Sequence, residues 1–259
     1  MQTICFIDID GTLVENRFSR KALGALFDEI HRATHIPIMD LVRQMGAENE
    51  RRQVTDPDNL LTMDWDDIIE GIARQHGVAL SRKGIDLWNE YAALDGIEVL
   101  DNALGVLDQL KQAGYGLVIA TKGLSKYQDS ILDLTGLRAY FDDILTPDIT
   151  GYLKTTPAYF NKYYQLAQRQ ALRFVHIGDH YYDDVMCPVR NGFFSILRAP
   201  YAELRPYDPF ERVNQLEQIF AKLNTYPKQG TDVRPHAVVT SLEELPAVLE
   251  RLPQRTYFT

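Results

Sequence analysis

The chain opens on an apolar run, "TICFI", that ends in the alternating acids "DID" and passes at once into glycine and threonine. An apolar run bounded in this way reads as a strand. Residues from about Glu15 to Leu94 follow another rhythm: in "SRKALGALFDEIH", Leu23, Leu26, Phe27 and Ile30 recur at helical spacing behind Ser19 as candidate cap. "DWDDIIEGIARQHG" repeats the signature behind Asp64, "SRKGIDLWNEYAAL" adds a further helix, and no buried parallel strand is visible. From about Ile97 the two patterns alternate. Helix "DNALGVLDQLKQAG", strand "YGLVIAT", helix "LSKYQDSILDLTG" and short strand "FDDILTP" lead to helix "TTPAYFNKYYQLAQRQ", strand "RFVHIGD", helix "YYDDVMCPVRNG" and strand "FFSILR". "HAVVT" and "SLEELPAVLERL" supply a last strand and helix.

Strands alternating with helices imply a parallel sheet covered on both faces, so the fold class is α/β. The first strand belongs in that sheet, which makes the helical segment an insertion. The expected division is an α/β core of residues 1–14 and 96–259 and a helical domain of residues 15–95. The stretch from about 200 to 235 has no assigned role; within it "ERVNQLEQIFAKLN" reads as a helix and "TYPKQGTDVRP" as a loop.

Composition narrows the class without naming a function. With 259 residues, 45% hydrophobic and 24% charged, the chain can bury a substantial core and is not of a disordered or fibrous type. The formal charge of −9 is spread along the sequence, which argues against a nucleic-acid or anionic-membrane partner. Cys5 and Cys187 have neither metal-ligand spacing nor disulfide-scaffold density, and no apolar stretch approaches the roughly 18–20 residues that span a bilayer. A cytoplasmic protein, monomeric or a homodimer, is the expectation.

In an open parallel sheet, ligands bind beyond the carboxyl ends of the strands. Asp8 and Asp10 close the first strand, Thr121 closes "YGLVIAT", Lys154 follows "DDILTPDITGY", and Asp179 closes "RFVHIGD". The set suggests phosphoryl transfer. One carboxylate can attack phosphorus and form an aspartyl-phosphate, and a second can protonate the leaving oxygen and later deprotonate water. Acids facing an anionic phosphate require a cation, and Mg2+ suits oxygen donors, with Asp179 as the obvious ligand and Asp183 or Asp184 in support. Thr121 can donate its hydroxyl to phosphate, Lys154 supplies positive charge, and the main-chain N–H groups of Lys122 and Gly123 offer further contacts. Gly11 permits a close approach of the backbone.

Each residue also has a plainer reading. Asp179 can cap the next helix, Lys154 can be a solvated lysine, Thr121 an ordinary strand end, and Lys122–Gly123 a turn. His180, Tyr181 and Tyr182 can line a pocket, although packing on the next strand suits at least one tyrosine. Arg17, Phe18 and Arg20 lie where a hinge would begin, with a solvated basic face as the alternative. Asp64, Asp66 and Asp67 fit the acidic first turn of a helix, not a calcium loop.

Taken in order, these segments resemble the haloacid dehalogenase superfamily of hydrolases. "FIDIDGT" is similar to its first motif, "LVIAT" to its second, Lys154 falls where the third motif's lysine belongs, and "HIGDHYYDD" resembles the acidic fourth. The third motif departs from the family's Lys-Pro-x-Pro, reading "LKTTP" here. The resemblance implies a Rossmann-like core with a mobile helical cap of the first type (C1). It also implies Asp8 as nucleophile, Asp10 as general acid/base with its carbonyl on magnesium, Asp179 as metal ligand, and Thr121 and Lys154 on phosphate. Because the family's dehalogenases lack the second acid, Asp10 favours a magnesium-dependent phosphatase acting on a small phosphomonoester. The alternatives are a phosphomutase of the same superfamily and a non-catalytic binding or regulatory protein on the same fold.

Overall fold

The computed structural model describes residues 2–55, 59–222 and 233–254. Six strands form one parallel sheet: β1 (Gln2–Ile7), β4 (Gly116–Ala120), β5 (Asp143–Leu145), β6 (Leu172–Gly178), β7 (Phe194–Arg198) and β8 (Ala237–Val239). Their spatial order is β5-β4-β1-β6-β7-β8. A separate antiparallel pair, β2 (Val14–Glu15) with β3 (Glu98–Val99), joins Val14 to Val99.

Alternation along β1 sorts its side chains to two faces. Cys5 and Ile7 pack with residues of α5 (Ala103–Gln112), α6 (Ser125–Thr135) and α10 (Leu245–Arg251). Ile4 and Phe6 pack on the other side with α8 (Asn161–Ala167) and with Phe160, Phe174 and Phe193. Phe6 is fully buried, its ring 5.1 Å from Phe160 edge-on and 5.4 Å from Phe193 in a stack. A sheet with both faces covered confirms the α/β class.

Between β2 and β3 the described residues form four α-helices, α1 (Phe18–Thr34), α2 (Ile38–Thr55), α3 (Trp65–Gln75) and α4 (Gly84–Asp95), and a 3-10 turn at Leu60–Met63. They bury a cluster of their own, including Leu26, Phe27, Ile30, Ile68, Ile69 and Ile72, while Phe18 and Trp88 join the cluster beneath the sheet. No helix among the described residues is long and apolar enough to cross a membrane.

Several local expectations change. Ser19 does not cap α1: the helix starts at Phe18, and Asn16 Oδ1 accepts the Ser19 N–H at 3.3 Å. Asp64 does cap α3, accepting the Asp67 N–H. The helix read over "TTPAYFNKYYQLAQRQ" is shorter, a 3-10 turn at Pro157–Phe160 and then α8, because Thr156 before proline stays extended. "ERVNQLEQIFAKLN" forms a 3-10 helix, Arg212–Lys222, whose expected last residues 223–224 lie outside the described residues, as does most of "TYPKQGTDVRP". The unassigned stretch covers the sheet near its edge, with Leu204, Leu216 and Ile219 packed against Leu197 and Val238.

Candidate active site

The sheet order puts the carboxyl ends of β4, β1 and β6 side by side, and the residues that follow them are Thr121, Asp8 and Asp179. Asp8, Asp10, Thr121, Lys122, Lys154, Asp179 and Asp184 line one cavity of about 120 Å³ together with His180 and Asp183. A wider cavity of about 600 Å³ shares Lys122 and Lys154 with it and reaches Gln53 and Met63 of the helical segment and Tyr182.

Lys154 stands at the centre of the charge arrangement. It is 3% exposed, and its Nζ lies 2.8 Å from Asp8 Oδ1 and 2.7 Å from Asp184 Oδ1. It is therefore not a solvated lysine. Burial works against its ammonium, but Asp184 and Asp8 outweigh that and hold it protonated. Carboxylate oxygens of Asp8, Asp179 and Asp184 all lie within 4.8 Å of one another. Burial raises the Asp8 carboxyl well above the ordinary range; Lys154 pulls it down, and Asp184 and Asp179 push it up. Burial, then the Asp184 charge, raises Asp179 to about 6.

Asp184 is fully buried and accepts from His176 Nε2 at 2.9 Å and from the His180 N–H at 2.8 Å. Burial alone would raise it, yet Lys154 and His176 hold it below the usual carboxylate range. His176 is itself pushed down by burial, so this contact is a neutral imidazole donating and not an ion pair. Asp183 turns elsewhere, to Lys122 Nζ at 2.9 Å and His180 Nδ1 at 3.0 Å. Burial would raise Asp183, but His180 and Lys122 bring it to about 2. Of the two adjacent acids, Asp184 is the one that meets Asp8 and Asp179.

Two glycines make room for these acids. A Cβ on Gly11 (φ +77°) would stand 2.4 Å from Asp179 Oδ2, and one on Gly178 would stand 2.2 Å from Asp184 Cγ. Arg198 fixes the loop that carries Gly11, donating to its carbonyl at 2.9 Å while pairing with Asp101 at 2.8 Å. Asp179 does not cap the next helical turn, a π-turn at Tyr181–Met186; His180 occupies the N-cap position, and Thr12 Oγ1 lies 3.4 Å from Asp179 Oδ1. Tyr181 is buried against Leu197, whereas Tyr182 is 43% exposed beside the wide cavity.

Asp10 accepts from Asn16 Nδ2 at 3.1 Å and Gln128 Nε2 at 2.9 Å. Thr121 Oγ1 accepts the Gly123 N–H at 3.1 Å. Asn16, Gln128, His176 and Arg198 were not singled out from sequence. His176 alone left a trace, as an imidazole inside the otherwise apolar "FVHIG".

The donor set fits a hard divalent cation. Asp8, Asp179 and Asp184 bring three oxygen-donor acids together on the ammonium of Lys154, and their mutual repulsion adds to the burial that raises Asp8 and Asp179.

Comparison with known proteins bears on the family and the fold. The family profile described as haloacid dehalogenase-like hydrolase matches residues 3–187. Haloacid dehalogenase-like hydrolase domain-containing protein 3 of Bos taurus is 29% identical over 146 residues, 55% of this chain and 58% of that protein. The chain thus spans less than two thirds of the length of the curated relatives it matches. Among solved structures, a HAD phosphatase from Thermococcus onnurineus superposes with a TM-score of 0.68 at 22% identity, covering 96% of this chain and 98% of that one. The putative HAD-hydrolase YfnB from Bacillus subtilis, bound to magnesium, gives 0.58 at 20% identity, covering 96% and 98%. L-2-haloacid dehalogenases superpose as well, and at such identities the likeness shows the fold alone. With the profile spanning most of its length and the sheet order and acid cluster beneath it, this chain belongs to the haloacid dehalogenase-like hydrolases.

Proposed function

We propose that the protein is a magnesium-dependent phosphatase that hydrolyses a small phosphomonoester through a phosphorylated Asp8. The observation that carries the reading is the meeting of Asp8, Lys154, Asp179 and Asp184 at one strand edge, with a second acid, Asp10, two residues beyond the nucleophile.

Lys154 holds one oxygen of Asp8 and leaves the other to attack phosphorus. As the bond from phosphorus to the leaving oxygen breaks, Asp10 gives that oxygen its proton. Asp10 then takes a proton from water as the water attacks the phospho-aspartate, which frees phosphate and restores Asp8. Thr121 accepts from Gly123 and so keeps its own hydroxyl proton for a phosphate oxygen, alongside the main-chain N–H of Lys122. Asp8, the Asp10 carbonyl and Asp179 would hold Mg2+, with Asp184 in support. When bound, the ion supplies positive charge that offsets the repulsion between these carboxylates and the phosphate.

Residues 15–95 act in this reading as the cap, since Gln53 and Met63 line the wide cavity opposite His180 and Tyr182. The free thiols of Cys5 and Cys187 suit a cytoplasmic setting. Asp10 favours phosphate over halide as the leaving chemistry, because a halide needs no proton to depart.

The test is phosphate release from a panel of phosphomonoesters with and without magnesium, for the parent and Asp8→Asn, with 2-haloacids assayed for halide release in parallel. Metal-dependent turnover lost in Asp8→Asn is expected. Halide release without phosphate release would assign the protein to the dehalogenases.

A further inference from the structure

Asp10 reaches its place with help from a helix far along the chain. Gln128, on α6 and 118 positions away in sequence, donates Nε2–H to Asp10 Oδ2 at 2.9 Å, while Asn16 donates to Oδ1 at 3.1 Å. Both carboxylate oxygens are thus held by side-chain amides. Gln128 is 3% exposed, and its Oε1 is buried with no hydrogen-bond partner among the described residues.

That lone oxygen is informative. Burying an amide costs desolvation, so packing alone would favour an apolar side chain of the same size. The return on the amide lies at its other end, in the N–H aimed at Asp10. Reversing the amide would set Oε1 against a carboxylate, so charge decides which end faces Asp10. The surroundings are shaped for this orientation: a Cβ on Gly123 would lie 2.2 Å from Gln128 Nε2. The neighbouring residues Lys126 and Tyr127 bind Asp64 of the helical segment at 2.7 Å and 3.0 Å, so one turn of α6 touches both that segment and Asp10.

We propose that Gln128 is a positioning residue for Asp10, fixing the carboxyl at the angle from which it serves the leaving oxygen. The proposal rests on the phosphatase reading and on the role of Asp10 within it. Its signature follows from the chemistry of leaving groups. Proton donation matters most when the departing oxygen is strongly basic and little when it is a stable phenolate.

The experiment compares benzyl phosphate, a poor leaving group, with p-nitrophenyl phosphate, a good one, under magnesium saturation. Gln128→Met removes the donor and keeps the length; Gln128→Leu removes it with a branched side chain. Both are checked for the parent's circular dichroism, and Asp10→Asn serves as the benchmark for losing the acid. For each Gln128 variant, kcat on benzyl phosphate is expected to fall at least about tenfold with KM within about twofold, and kcat on p-nitrophenyl phosphate to fall by no more than about threefold. The variants then reproduce the substrate dependence of Asp10→Asn at smaller size. An equal loss on both substrates, or no loss on either, overturns the positioning role while the phosphatase reading stands. A parent that hydrolyses neither ester removes the phosphatase reading, and this proposal with it.

Discussion

Tyr127→Phe tests how the helical segment is fastened to the sheet domain. Tyr127 is 3% exposed, and its hydroxyl accepts the Asp66 N–H at 2.8 Å while donating to Asp64 Oδ1 at 3.0 Å. Its carbonyl accepts from Trp88 Nε1 at 3.0 Å, and its ring centroid lies 5.0 Å from that of Trp88. Phenylalanine keeps the ring and the carbonyl, so only the hydroxyl is removed. Asp64 stays satisfied by Lys126 and the Asp67 N–H, whereas the Asp66 N–H loses its acceptor. A buried donor without a partner costs about 1–3 kcal/mol, so about 2 kcal/mol is the expected destabilisation. For a chain of this length that corresponds to a fall in melting temperature of about 4–8 °C. Thermal and urea unfolding followed by tryptophan fluorescence would measure it, with hydrogen exchange of peptides covering α3 as a local readout. A melting temperature within about 1 °C of the parent, with unchanged exchange over Trp65–Gln75, would refute the reasoning.

Three further outcomes are expected. Gly178→Ala places a Cβ 2.2 Å from Asp184 Cγ and should lower kcat at least about tenfold by displacing the acid that braces Lys154. Steady-state kinetics on the best phosphomonoester would check this. Burial pushes the Cys5 thiol up to about 12 and the Cys187 thiol up to about 11, so neither should react readily with a thiol reagent at pH 8 until denaturant is added. Rapid labelling of the folded protein would contradict it. Glu48, bonded by Arg51 and Arg52, sits at about 2, below its unfolded value, so its stabilising effect is present above the unfolded pKa and is lost as pH falls from about 4 to about 2. Glu48→Gln should therefore show a shallower loss of stability over that window in acid-dependent melts. A slope equal to the parent's would show that the pair contributes nothing to folding.

Residues that follow a strand could be read in advance because chain direction alone places them. Asp8, Thr121 and Asp179 each end an apolar run, and a parallel sheet brings such ends to one edge. Gln128 and Arg198 left no such mark, since their contacts are made across 118 and 187 positions by the packing of whole elements, and Asn16 reaches Asp10 through a local turn six positions long. The choice between Asp183 and Asp184 was hidden for another reason. These acids lie on a π-turn, where the 3.6-residue period that assigns faces to helical side chains does not apply. The cap expected of Ser19 failed on register: three positions earlier, Asn16 bonds the Ser19 N–H and sends its amide to Asp10. The same asparagine thus starts a helix and holds an acid.

The sheet order has a consequence for synthesis. β1 leaves the ribosome long before its two neighbours, β4 and β6, which begin at Gly116 and Leu172. From Ile7 to Gly116 the ribosome adds 109 residues (116 − 7), which at about 5–20 residues per second takes about 5–22 s. Throughout that interval an apolar strand has both edges open. The four helices translated next can bury their own cluster meanwhile, because Leu26, Ile30, Ile69 and Ile72 need nothing from the sheet. Nascent chains of this protein should therefore acquire helical protection before the strand that carries Asp8 acquires any, and a chaperone that shields a short apolar strand would act in that window.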